Sequence, residues 1–477
     1  MRQIRSSVIG DGAGIPGPFG VRPLVYADHT ASGRVLGFIE DHIREHVMPW
    51  YANTHTEASA TGRRMTALRE EARRQVRAAV GAGDEHAVIF CGSGSTAAID
   101  KFIRIIGAGF PRRPVVFVGP YEHHSNELLW RESGAEVVRT TEADLERQLR
   151  EHTGRTIIGS FSAGSNVTGV KADVDGVSAL LHRYDALACW DYAAAGPHGP
   201  IRAHDALFLS PHKFPGGPGT PGVLVVRRDL IRNPVPTVPG GGTVSYVHPG
   251  ARYYLADPEH REEGGTPAII ESIRAGLVMH LHRSVGLDVI QRRETDYVRR
   301  AMHSWRRDPR MHILGDADRD RLPIVSFTID GLHHNLVVTL LSDLFGIQAR
   351  GGCSCAGPYG HELLGIAPER AEHLADQANA GWFGVKPGWA RVSFAYYLGE
   401  DEFEYIVAAV HLIAAHGAEL RALYGFDERD GMWRHRHVRP NGGLTTVPMR
   451  DLRYFLTLPA VPLGDRPGCA RQAPLMA

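Results

Sequence analysis

The sequence predicts an α/β protein with a large, mostly parallel sheet of seven strands and a smaller C-terminal α+β domain. Short apolar runs alternate with helical stretches between residues 88 and 226, a pattern typical of parallel strands covered by helices. A second set of strands and helices begins near Met311. The 477 residues are long for one domain and fit one large and one smaller domain.

Composition and charge exclude several classes of protein. Apolar residues make up 43% and charged residues 22%, as in ordinary globular proteins. Lys plus Arg and Asp plus Glu number 53 each, so no nucleic acid or anionic membrane is expected as a partner. No apolar run approaches the length of a membrane span, and the N-terminus lacks the apolar core of a signal peptide. The five cysteines are few and odd in number, which favours reduced thiols and a cytoplasmic protein.

The first elements are predicted from glycine content and helical spacing. Residues 1–20 are rich in Gly and Pro and are expected to form a loose arm. A helix is predicted over Ser32–Met48, because its apolar residues stand near helical spacing. A longer helix, rich in Arg, Glu and Ala, is predicted over Glu57–Val80.

Seven short apolar runs are predicted to form the large sheet. Helical stretches lie between several of them, as expected for parallel strands joined by crossovers. In chain order the predicted strands are Val88–Cys91, Val115–Val118, Glu136–Arg139, Thr156–Phe161, Leu187–Trp190, Ala206–Leu209 and Gly222–Val226.

The pattern changes beyond residue 234. Gly240–Thr243 is a predicted loop, and a long helix is predicted from Thr266 to Val285. The smaller domain is predicted to contain an amphipathic last helix that packs on its sheet. Its predicted elements are the strands Ile324–Ile329, Ile347–Arg350 and Ala390–Phe394 and the helices Asn335–Phe345 and Asp401–Ala415.

These elements divide the chain into four predicted regions. Residues 1–24 form the arm and residues 25–305 the large domain, whose N-terminal segment could also contribute to the small domain. Residues 306–424 form the small domain. Residues 425–477 form a tail to which no role is assigned, and only Tyr454–Leu458 in it looks like a strand.

A lysine between a strand and a glycine-rich turn is the strongest indication of function. Lys213 ends the run Ser210-Pro211-His212-Lys213, which follows the predicted strand Ala206–Leu209 and precedes Phe214-Pro215-Gly216-Gly217. The short connection from the strand would hold the Lys213 amine at the end of the sheet, within reach of an aldehyde. The hydroxyl of Ser210 and the imidazole of His212 beside it could hold an anion. A pyridoxal 5′-phosphate (PLP) enzyme needs this combination. The alternative is a surface lysine before a loop.

Further groups strengthen the prediction of a PLP site. The turn Gly92–Thr96, with Ser95 and Thr96, follows a strand and opens a helix, where free N–H groups bind phosphate, although a simple helix cap would look the same. Asp191 follows the strand Leu187–Trp190 and could pair with the pyridinium nitrogen, although aspartates at strand ends are common.

Two more side chains are candidates for contacts with the ring. His123, in Glu122-His123-His124, could stack on the pyridine and act as acid or base. A metal site at the His-His pair is disfavoured, because no third ligand stands at a suitable spacing. Asn166 follows a strand and could hydrogen-bond the ring hydroxyl, or it could be a turn asparagine.

The C-terminal region adds candidates for substrate binding. Arg391 lies in an apolar strand and needs a partner, which could be a substrate α-carboxylate or a structural ion pair. The glycine-rich loop that begins at Arg350 contains Cys353 and Cys355, and a thiol near cations in a mobile loop could be reactive. A metal site with His361 is discounted, since the Cys-x-Cys spacing is tight and no second pair lies nearby.

With these residues the chain resembles the class V aminotransferase family of fold-type I PLP enzymes, and within it the cysteine desulfurase-like branch. The resemblance runs from about Val25 to about Ala415 and rests on three motifs in the right order. They are Glu122-His123-His124-x-Asn126, Ser210-x-His212-Lys213, and Arg350-x-Gly352-x-x-Cys355-Ala356-x-Pro358.

The resemblance implies a role for each candidate. Lys213 would form the internal aldimine with PLP and move protons, and Cys355 would take the sulfur of L-cysteine as a persulfide and leave alanine. The family further implies a homodimer with shared active sites and a sulfur-acceptor protein as a further partner. In the cofactor site, His123 would stack on the ring, Asp191 would hold the ring nitrogen, and Asn166 would contact the ring hydroxyl or the substrate. The phosphate would be bound by Ser95, Thr96, Ser210 and His212, together with Thr243 or Thr266 of the partner subunit. Arg391 would clamp the substrate carboxylate, with Arg350 nearby.

Some positions depart from the family pattern. Ala194 stands where the family usually carries Gln or His, and Cys353 where the desulfurases usually carry His. The stretch from Tyr359 to Trp389 is longer than expected and could be a lid or a docking surface.

Three functional hypotheses follow. The first is cysteine desulfuration, and the second is a C–S lyase, epimerase or aminotransferase in which Cys355 is not the nucleophile. The third is a non-catalytic PLP-binding or sulfur-carrier protein, against which the intact set of Lys213, Asp191, His123 and Arg391 argues.

Overall fold

A seven-stranded sheet with helices against both faces is the largest part of the computed structural model, which describes residues 1–107, 113–316 and 318–437. A smaller four-stranded antiparallel sheet with its own helices follows it in the chain. The predicted α/β class, with one large mostly parallel sheet and a smaller α+β unit, is confirmed.

The N-terminal residues form ordered secondary structure. Helix α1 spans Arg2–Ser6, strands β1 (Gly14–Gly17) and β2 (Gly20–Pro23) form a hairpin, and β3 spans Val25–Tyr26. The prediction of a loose arm over residues 1–20 is therefore wrong. Main-chain hydrogen bonds hold this segment to the chain that follows, with the Ile9 N–H donating to Val35 at 3.0 Å.

The predicted helix over Ser32–Met48 is shorter and changes type. Helix α2 spans Gly37–His42 and continues as a π-helical turn over Ile43–Val47 and a 3₁₀ turn over Met48–Trp50. The chain before Gly37 is extended because it pairs with the N-terminal segment. Helix α3 then spans Ala60–Ala79, close to the prediction, and the Ser59 side chain caps it.

All seven predicted strands of the large sheet are present. Their order is β4-β10-β9-β8-β7-β5-β6; β10 is antiparallel to both neighbours and every other pair is parallel. The elements are β4 His86–Cys91, α4 Gly94–Gly107, β5 Val115–Val118, α5 His124–Glu132, β6 Glu136–Arg139, α6 Glu142–Glu151, β7 Ile157–Ser162, α7 Val174–Arg183, β8 Leu187–Asp191, β9 Ala206–Leu209 and β10 Gly222–Arg227.

Alternate residues of these strands face opposite sides of the sheet, as strand geometry requires. Val88 and Phe90 belong to one apolar core, and Ala87 and Ile89 belong to the other. A hairpin and three helices follow the sheet in the chain, and the first core includes residues of α3 and α9. These elements are β11 Val244–His248, β12 Ala251–Tyr254, α8 Pro258–Arg261, α9 Ile269–Val285 and α10 Leu287–Trp305.

The smaller sheet has the order β13-β14-β17-β16 and packs with its helices around a separate core. The remaining elements are β13 Met311–Ile313, β14 Ile324–Ile329, α11 His334–Phe345, β15 Ile347–Gln348, β16 Arg350–Gly352, α12 Gly357–Leu363, α13 Pro368–Asn379, β17 Trp389–Ser393, α14 Glu400–Leu420, β18 Tyr424–Asp427 and β19 Met432–His435.

The predicted strand Ile347–Arg350 is two strands, because two partners divide it. β15 pairs in parallel with β3 at the N-terminus, and β16 pairs with β17. The N-terminal segment thus pairs with a strand of the C-terminal region. The predicted boundary between residues 424 and 425 falls inside β18, which forms a hairpin with β19. The predicted strand Tyr454–Leu458 lies outside the described residues.

One helical stretch among the described residues, Glu400–Leu423, is long and apolar enough to cross a membrane by length and composition. The prediction that no apolar run approaches this length is corrected for this helix. Phe403, Ile406, Val410 and Ile413 of α14 are buried in the core of the smaller unit, so packing accounts for its apolar face.

Candidate active site

A cavity of about 480 Å³ lies at the carboxyl ends of the parallel strands of the large sheet. Polar side chains from the ends of several strands converge there, which is the usual position of a binding site in such sheets. The lining includes Ser95, Thr96, His123, Asn166, Asp191, Ser210, His212, Lys213, Arg350, Cys355 and Arg391. The structure therefore brings together every predicted site residue except Thr243 and Thr266.

Lys213 is held by a short turn at the end of β9. A 3₁₀ turn spans Pro211–Lys213, and the Lys213 N–H donates to the Ser210 carbonyl at 3.0 Å. Burial lowers the pKa of Lys213 to about 8, while the nearby carboxylate of Asp191 opposes the shift and Arg391 adds to it. A larger share of the amine is thus neutral near pH 7 than in a free lysine, as attack on an aldehyde requires.

Asp191 ends β8 and is 3% exposed. Its Oδ1 accepts a hydrogen bond from the Ala193 N–H at 2.8 Å, and burial raises the pKa of its carboxyl. The adjacent Ala193 and Ala194 also line the cavity. Their methyl groups offer no hydrogen bond, so the departure at Ala194 lies within the site itself.

The turn before α4 provides donors for an anion. Gly94, at φ +58°, begins the helix, and a Cβ atom at this position would lie 2.9 Å from both Ser210 Oγ and His212 Cε1. The Ser95 N–H donates to Ser210 Oγ at 2.8 Å, and Thr96 Oγ1 donates to Ser125 Oγ at 2.8 Å. Hydroxyls and a helix N-terminus therefore meet at one end of the cavity.

Two histidines of the cavity are neutral at pH 7. His123 caps α5, with Nδ1 accepting from the Ser125 N–H at 3.1 Å, so its proton lies on Nε2. Burial, with the nearby Lys213, lowers the pKa of His123 to about 4. The same two causes lower the pKa of His212 to about 4. Neutral rings suit stacking on a pyridine and hydrogen bonding to a phosphate.

Arg391 already has a carboxylate partner in the protein. Its Nη2 donates to Asp28 Oδ1 at 2.9 Å and its Nη1 to the Asn166 carbonyl at 2.8 Å. Arg350 Nε donates to the other oxygen of Asp28 at 3.0 Å. Among the described residues, Arg391 Nε is buried without a partner. The structural ion pair considered from the sequence therefore exists, and it leaves the Nε–H of Arg391 without a partner among the described residues.

The loop that carries Cys355 is fixed at three points. The His124 N–H donates to the Cys355 carbonyl at 2.9 Å, and the Gly357 N–H donates to His124 Nε2 at 2.9 Å. Asn166 Nδ2 donates to the Ser354 carbonyl at 2.8 Å. These contacts hold Ser354 and Cys355 at φ +52° and +57°, which non-glycine residues rarely adopt. The side chain of Cys355 is exposed and lines the cavity.

Cys353 differs from Cys355. It is half-buried and packs against an apolar cluster that includes Val167, Leu314 and Trp389. Cys353 is therefore a packed side chain, although a glycine-rich loop between strands would not be expected to contribute to a core. Of the two thiols, only that of Cys355 lines the cavity.

Thr243 and Thr266 lie outside this cavity. Thr243 is fully buried and its hydroxyl donates to the Gly240 carbonyl at 2.7 Å. Thr266 is exposed, and its hydroxyl accepts from Asn53 Nδ2 at 3.1 Å. Of the two candidates for a phosphate contact from a partner subunit, only Thr266 presents its hydroxyl at the surface.

The residues present fit PLP. A buried carboxylate, a lysine amine and an anion-binding turn surround one cavity. Within the described residues, Thr30 Oγ1, Ser354 Oγ and Arg391 Nε are buried without partners in residues that line this cavity. Buried polar atoms without partners are costly, so they mark places where a ligand atom would be accommodated. In the described part of the chain, no group of three or more His, Cys, Asp or Glu could hold a metal ion.

Sequence reasoning missed several residues of this site. Thr30, Ser125 and Thr220 line the cavity, whereas Asp28 and His124 lie behind it and contact Arg391 and the cysteine loop. The one signal for Asp28 was a carboxylate two residues after the short strand β3. Nothing in the sequence tied His124 to the cysteine loop, which is 233 residues away from it.

Comparison with known proteins agrees with this geometry. A family model described as aminotransferase class-V matches residues 25–406. A protein of Streptomyces coelicolor named "probable cysteine desulfurase" is 28% identical over 354 residues, which cover 70% of this chain and 84% of that protein. A cysteine desulfurase of Dickeya dadantii is 27% identical over 406 residues, which cover 82% of this chain and 92% of the relative.

Solved structures share the fold. The apo cysteine desulfurase of Thermococcus onnurineus aligns with a TM-score of 0.71 at 24% identity, covering 82% of this chain and 95% of that chain. A cysteine desulfurase from Escherichia coli aligns with a TM-score of 0.69 at 23% identity, covering 87% of this chain and 98% of that chain. These likenesses show that the chain shares its fold with these two solved structures.

Proposed function

The chain belongs to the aminotransferase class-V family, and from that premise we propose that it is a PLP-dependent cysteine desulfurase acting on L-cysteine. The observation that carries the proposal is the position of Cys355. Its exposed thiol lines the same cavity as Lys213, on a loop that three hydrogen bonds fix in place. A nucleophile must lie close to the reacting atom, and a fixed loop provides this proximity.

The residues that would hold PLP surround the cavity. Lys213 would bind its aldehyde and Asp191 its ring nitrogen, while His123 would stack on the ring. Ser95, Thr96, Ser210 and His212 would bind the phosphate together with the helix N-terminus of α4. When bound, PLP supplies an electron sink for a carbanion at the substrate Cα.

Lys213 is the group best suited to move the Cα proton. The pKa of Lys213 is lowered to about 8, close to physiological pH. A general base works best when its pKa lies near the working pH. Arg391 would bind the substrate α-carboxylate through its Nε–H, which has no partner among the described residues, while Asp28 and Asn166 hold the other two nitrogens in place. Asp28 would fix the guanidinium plane and so orient the substrate.

Cys355 would receive the sulfur. The substrate Cβ–S bond breaks, a new S–S bond forms on Cys355 Sγ, and the carbon skeleton leaves as alanine. One L-cysteine and one thiol give one alanine and one persulfide, so no oxidant or reductant is needed. A second protein with a free thiol would then take the outer sulfur and return Cys355 to its starting state.

The protein is further proposed to be a cytoplasmic homodimer in which Thr266 reaches the partner's phosphate site. The exposed hydroxyl of Thr266 supports this choice over the buried Thr243. Exposed apolar side chains on the hairpin β11–β12, Tyr246, Val247 and Tyr253, offer surface that a second subunit could cover.

The test is to incubate purified protein with PLP and L-cysteine and to identify the carbon product. Alanine in equal amount to the sulfide released under reducing conditions supports the proposal. Cys355→Ala should lose alanine formation and Lys213→Ala should lose every PLP-dependent reaction, whereas the neighbouring Cys353→Ala should stay close to wild type. Pyruvate with ammonia as the product, or full desulfuration by Cys355→Ala, would instead indicate a lyase or another enzyme in which Cys355 is not the nucleophile.

A further inference from the structure

A second cavity, of about 450 Å³, lies between the C-terminal half of α10 and the segment that connects β13 to β14. It shares no lining residue with the cavity of Lys213. Val298 and Met302 contribute apolar lining from α10. The other lining residues are mostly cationic: Arg299, Arg306, Arg307, Arg319, Arg321 and His303, with Asp320 as the one carboxylate. We name this cavity the arginine groove.

Some charges of the arginine groove are neutralised within the protein. Arg299 pairs with Asp296 at 2.9 Å, and Arg319 pairs with Glu142 at 3.2 Å. Asp320 is itself occupied by Lys171 at 2.9 Å, so its charge does not serve the groove.

Three guanidinium groups have no carboxylate within ion-pair distance among the described residues. They belong to Arg306, Arg307 and Arg321. Arg306 and Arg307 are exposed and follow the end of α10, and Arg321 is 5% exposed. Like charges gathered in one concave surface repel each other, and such a surface focuses the field on an incoming anion.

Arg321 is the built part of the groove. Its guanidinium donates to the carbonyls of Thr168 and Leu314, at 2.9 and 3.2 Å, and to the Asp316 carbonyl. These bonds fix the orientation of the side chain, and the groups that oppose its charge, Asp316 and Tyr359, lie beyond ion-pair distance in the described structure. Burial lowers the pKa of Arg321, and the nearby charge of Arg306 lowers it further. A buried charge without a counter-ion is costly, and a bound anion would offset that cost.

The chemistry of the groove selects among anions. Guanidinium groups match the oxygens of phosphate in a bidentate manner, and arginine is the usual residue where phosphate is recognised by geometry. A volume of about 450 Å³ is within the range of pockets for small molecules. Three guanidinium groups without an ion-pair partner among the described residues suit a ligand with several negative charges. We propose that the arginine groove binds a small polyvalent phosphate compound, as free pyrophosphate or as the phosphate chain of a nucleotide.

The proposal is tested by calorimetric titration of the full-length, PLP-loaded protein at constant ionic strength. PLP loading matters because the anion-binding turn near Ser95 would otherwise take phosphate. The probes are pyrophosphate, ATP, citrate and an oligoglutamate peptide. Saturable binding of pyrophosphate or ATP, at one site per chain and tighter than citrate, is expected. If ATP binds more tightly than pyrophosphate, the ligand of the groove is a nucleotide. If pyrophosphate binds more tightly, the ligand is the free anion.

Charge reversal locates the site. Arg306→Glu and Arg307→Glu, both at exposed positions, should each weaken binding at least about tenfold, because one strong contact to phosphate is lost and a repulsion is added. Arg292→Glu is the matched control, since Arg292 is exposed on the same helix outside the groove. The affinity of the Arg292→Glu variant for pyrophosphate and ATP should stay within about twofold of wild type. PLP absorbance and circular dichroism verify that each variant is folded.

Three results would overturn the proposal. They are the absence of saturable pyrophosphate and ATP binding, equal weakening by Arg292→Glu and Arg306→Glu, and tighter binding of oligoglutamate than of either phosphate compound. The last result would assign the groove to an acidic protein segment. None of these outcomes depends on desulfurase activity, so the groove and the proposed function are tested separately.

Discussion

Lys213 shows how the environment of a single residue determines its reactivity. The side chain is an ordinary lysine by sequence, but burial at the end of β9 disfavours its charged form and brings its pKa to about 8. The carboxylate of Asp191 restrains the shift, so the amine is titratable in the physiological range and is not permanently neutral.

The first prediction concerns the pH dependence of PLP uptake by the apoprotein. Only the neutral amine attacks an aldehyde, so the uptake rate should rise with pH and level off above about 8. The pKa of Lys213 in the folded protein lies below the value of 10.5 for a free lysine. The inflection of the rate profile should therefore lie at a lower pH than for a free lysine. Stopped-flow absorbance between pH 6.5 and 10 measures this rate. An inflection near 10 would show that Lys213 is not shifted.

Asp28 is a residue whose importance comes from its partners. It binds Arg391, which is 3% exposed, and also the half-exposed Arg350. Both arginines line the cavity, so Asp28 fixes two cations that could meet a substrate carboxylate.

The second prediction is that Asp28→Asn destabilises the free protein by about 1–3 kcal/mol, the usual cost of leaving a buried charged donor poorly satisfied. A carboxylate ligand should recover more stability in this variant than in wild type, because it supplies the missing charge. Thermal unfolding with and without L-alanine measures both effects. Asp41→Asn removes an exposed ion pair with Arg44 and should change stability by less than about 1 kcal/mol. Equal effects of the two substitutions would contradict the role of Asp28.

At the scale of elements, the cysteine loop depends on a helix that is remote in sequence. His124 lies in the first turn of α5, and it contacts both sides of Cys355 through its N–H and its ring. The Nε2 atom of His124 accepts a hydrogen bond from the Gly357 N–H, so His124 must be neutral in this arrangement. Burial lowers the pKa of His124 and supports that state.

The third prediction separates His124→Ala from His124→Gln. Alanine removes the acceptor for Gly357 and should slow alanine formation roughly fivefold, the equivalent of about 1 kcal/mol for one hydrogen bond. Glutamine keeps an acceptor and should retain most of the activity. PLP absorbance should be unchanged in both, since His124 does not line the cofactor cavity. His312→Ala, at an exposed position, serves as the control. Equal losses in the two His124 variants would mean that the hydrogen bond does not position the loop.

At the scale of the whole molecule, the site within one chain lacks the predicted contact from Thr266. The fourth prediction is that Thr266→Ala weakens PLP binding while Thr243→Ala, at a buried position, mainly lowers stability. Dimers formed by mixing Thr266→Ala and Lys213→Ala chains should regain activity, because each mixed dimer holds one complete site. Reconstitution from unfolded chains and assay of alanine formation measure this recovery. No recovery above the Thr266→Ala protein alone would place Thr266 outside the partner's site.

The sequence by itself determined the features that depend on neighbouring residues. Strands such as Val115–Val118, the turn at Gly94, and the positions of Asp191 and Lys213 after their strands follow from local apolar runs and glycines. Where local pattern and tertiary pairing competed, the prediction failed. The glycine-rich N-terminus was expected to be loose, and Ile347–Arg350 was expected to be one strand.

Only the tertiary structure decided which distant residues meet. Asp28 and Arg391 are 363 positions apart, and Asn166 and Ser354 are 188 apart. The arginine groove likewise combines α10 with a connection between two strands of another sheet. Such contacts are fixed by the packing of whole elements. The periodic pattern of apolar residues along the chain does not reveal which distant residues meet. The residues that carry the chemistry of this site could therefore be predicted from the sequence. The ion pairs around Arg391 and the hydrogen bonds that hold the Cys355 loop could be identified only from the tertiary structure.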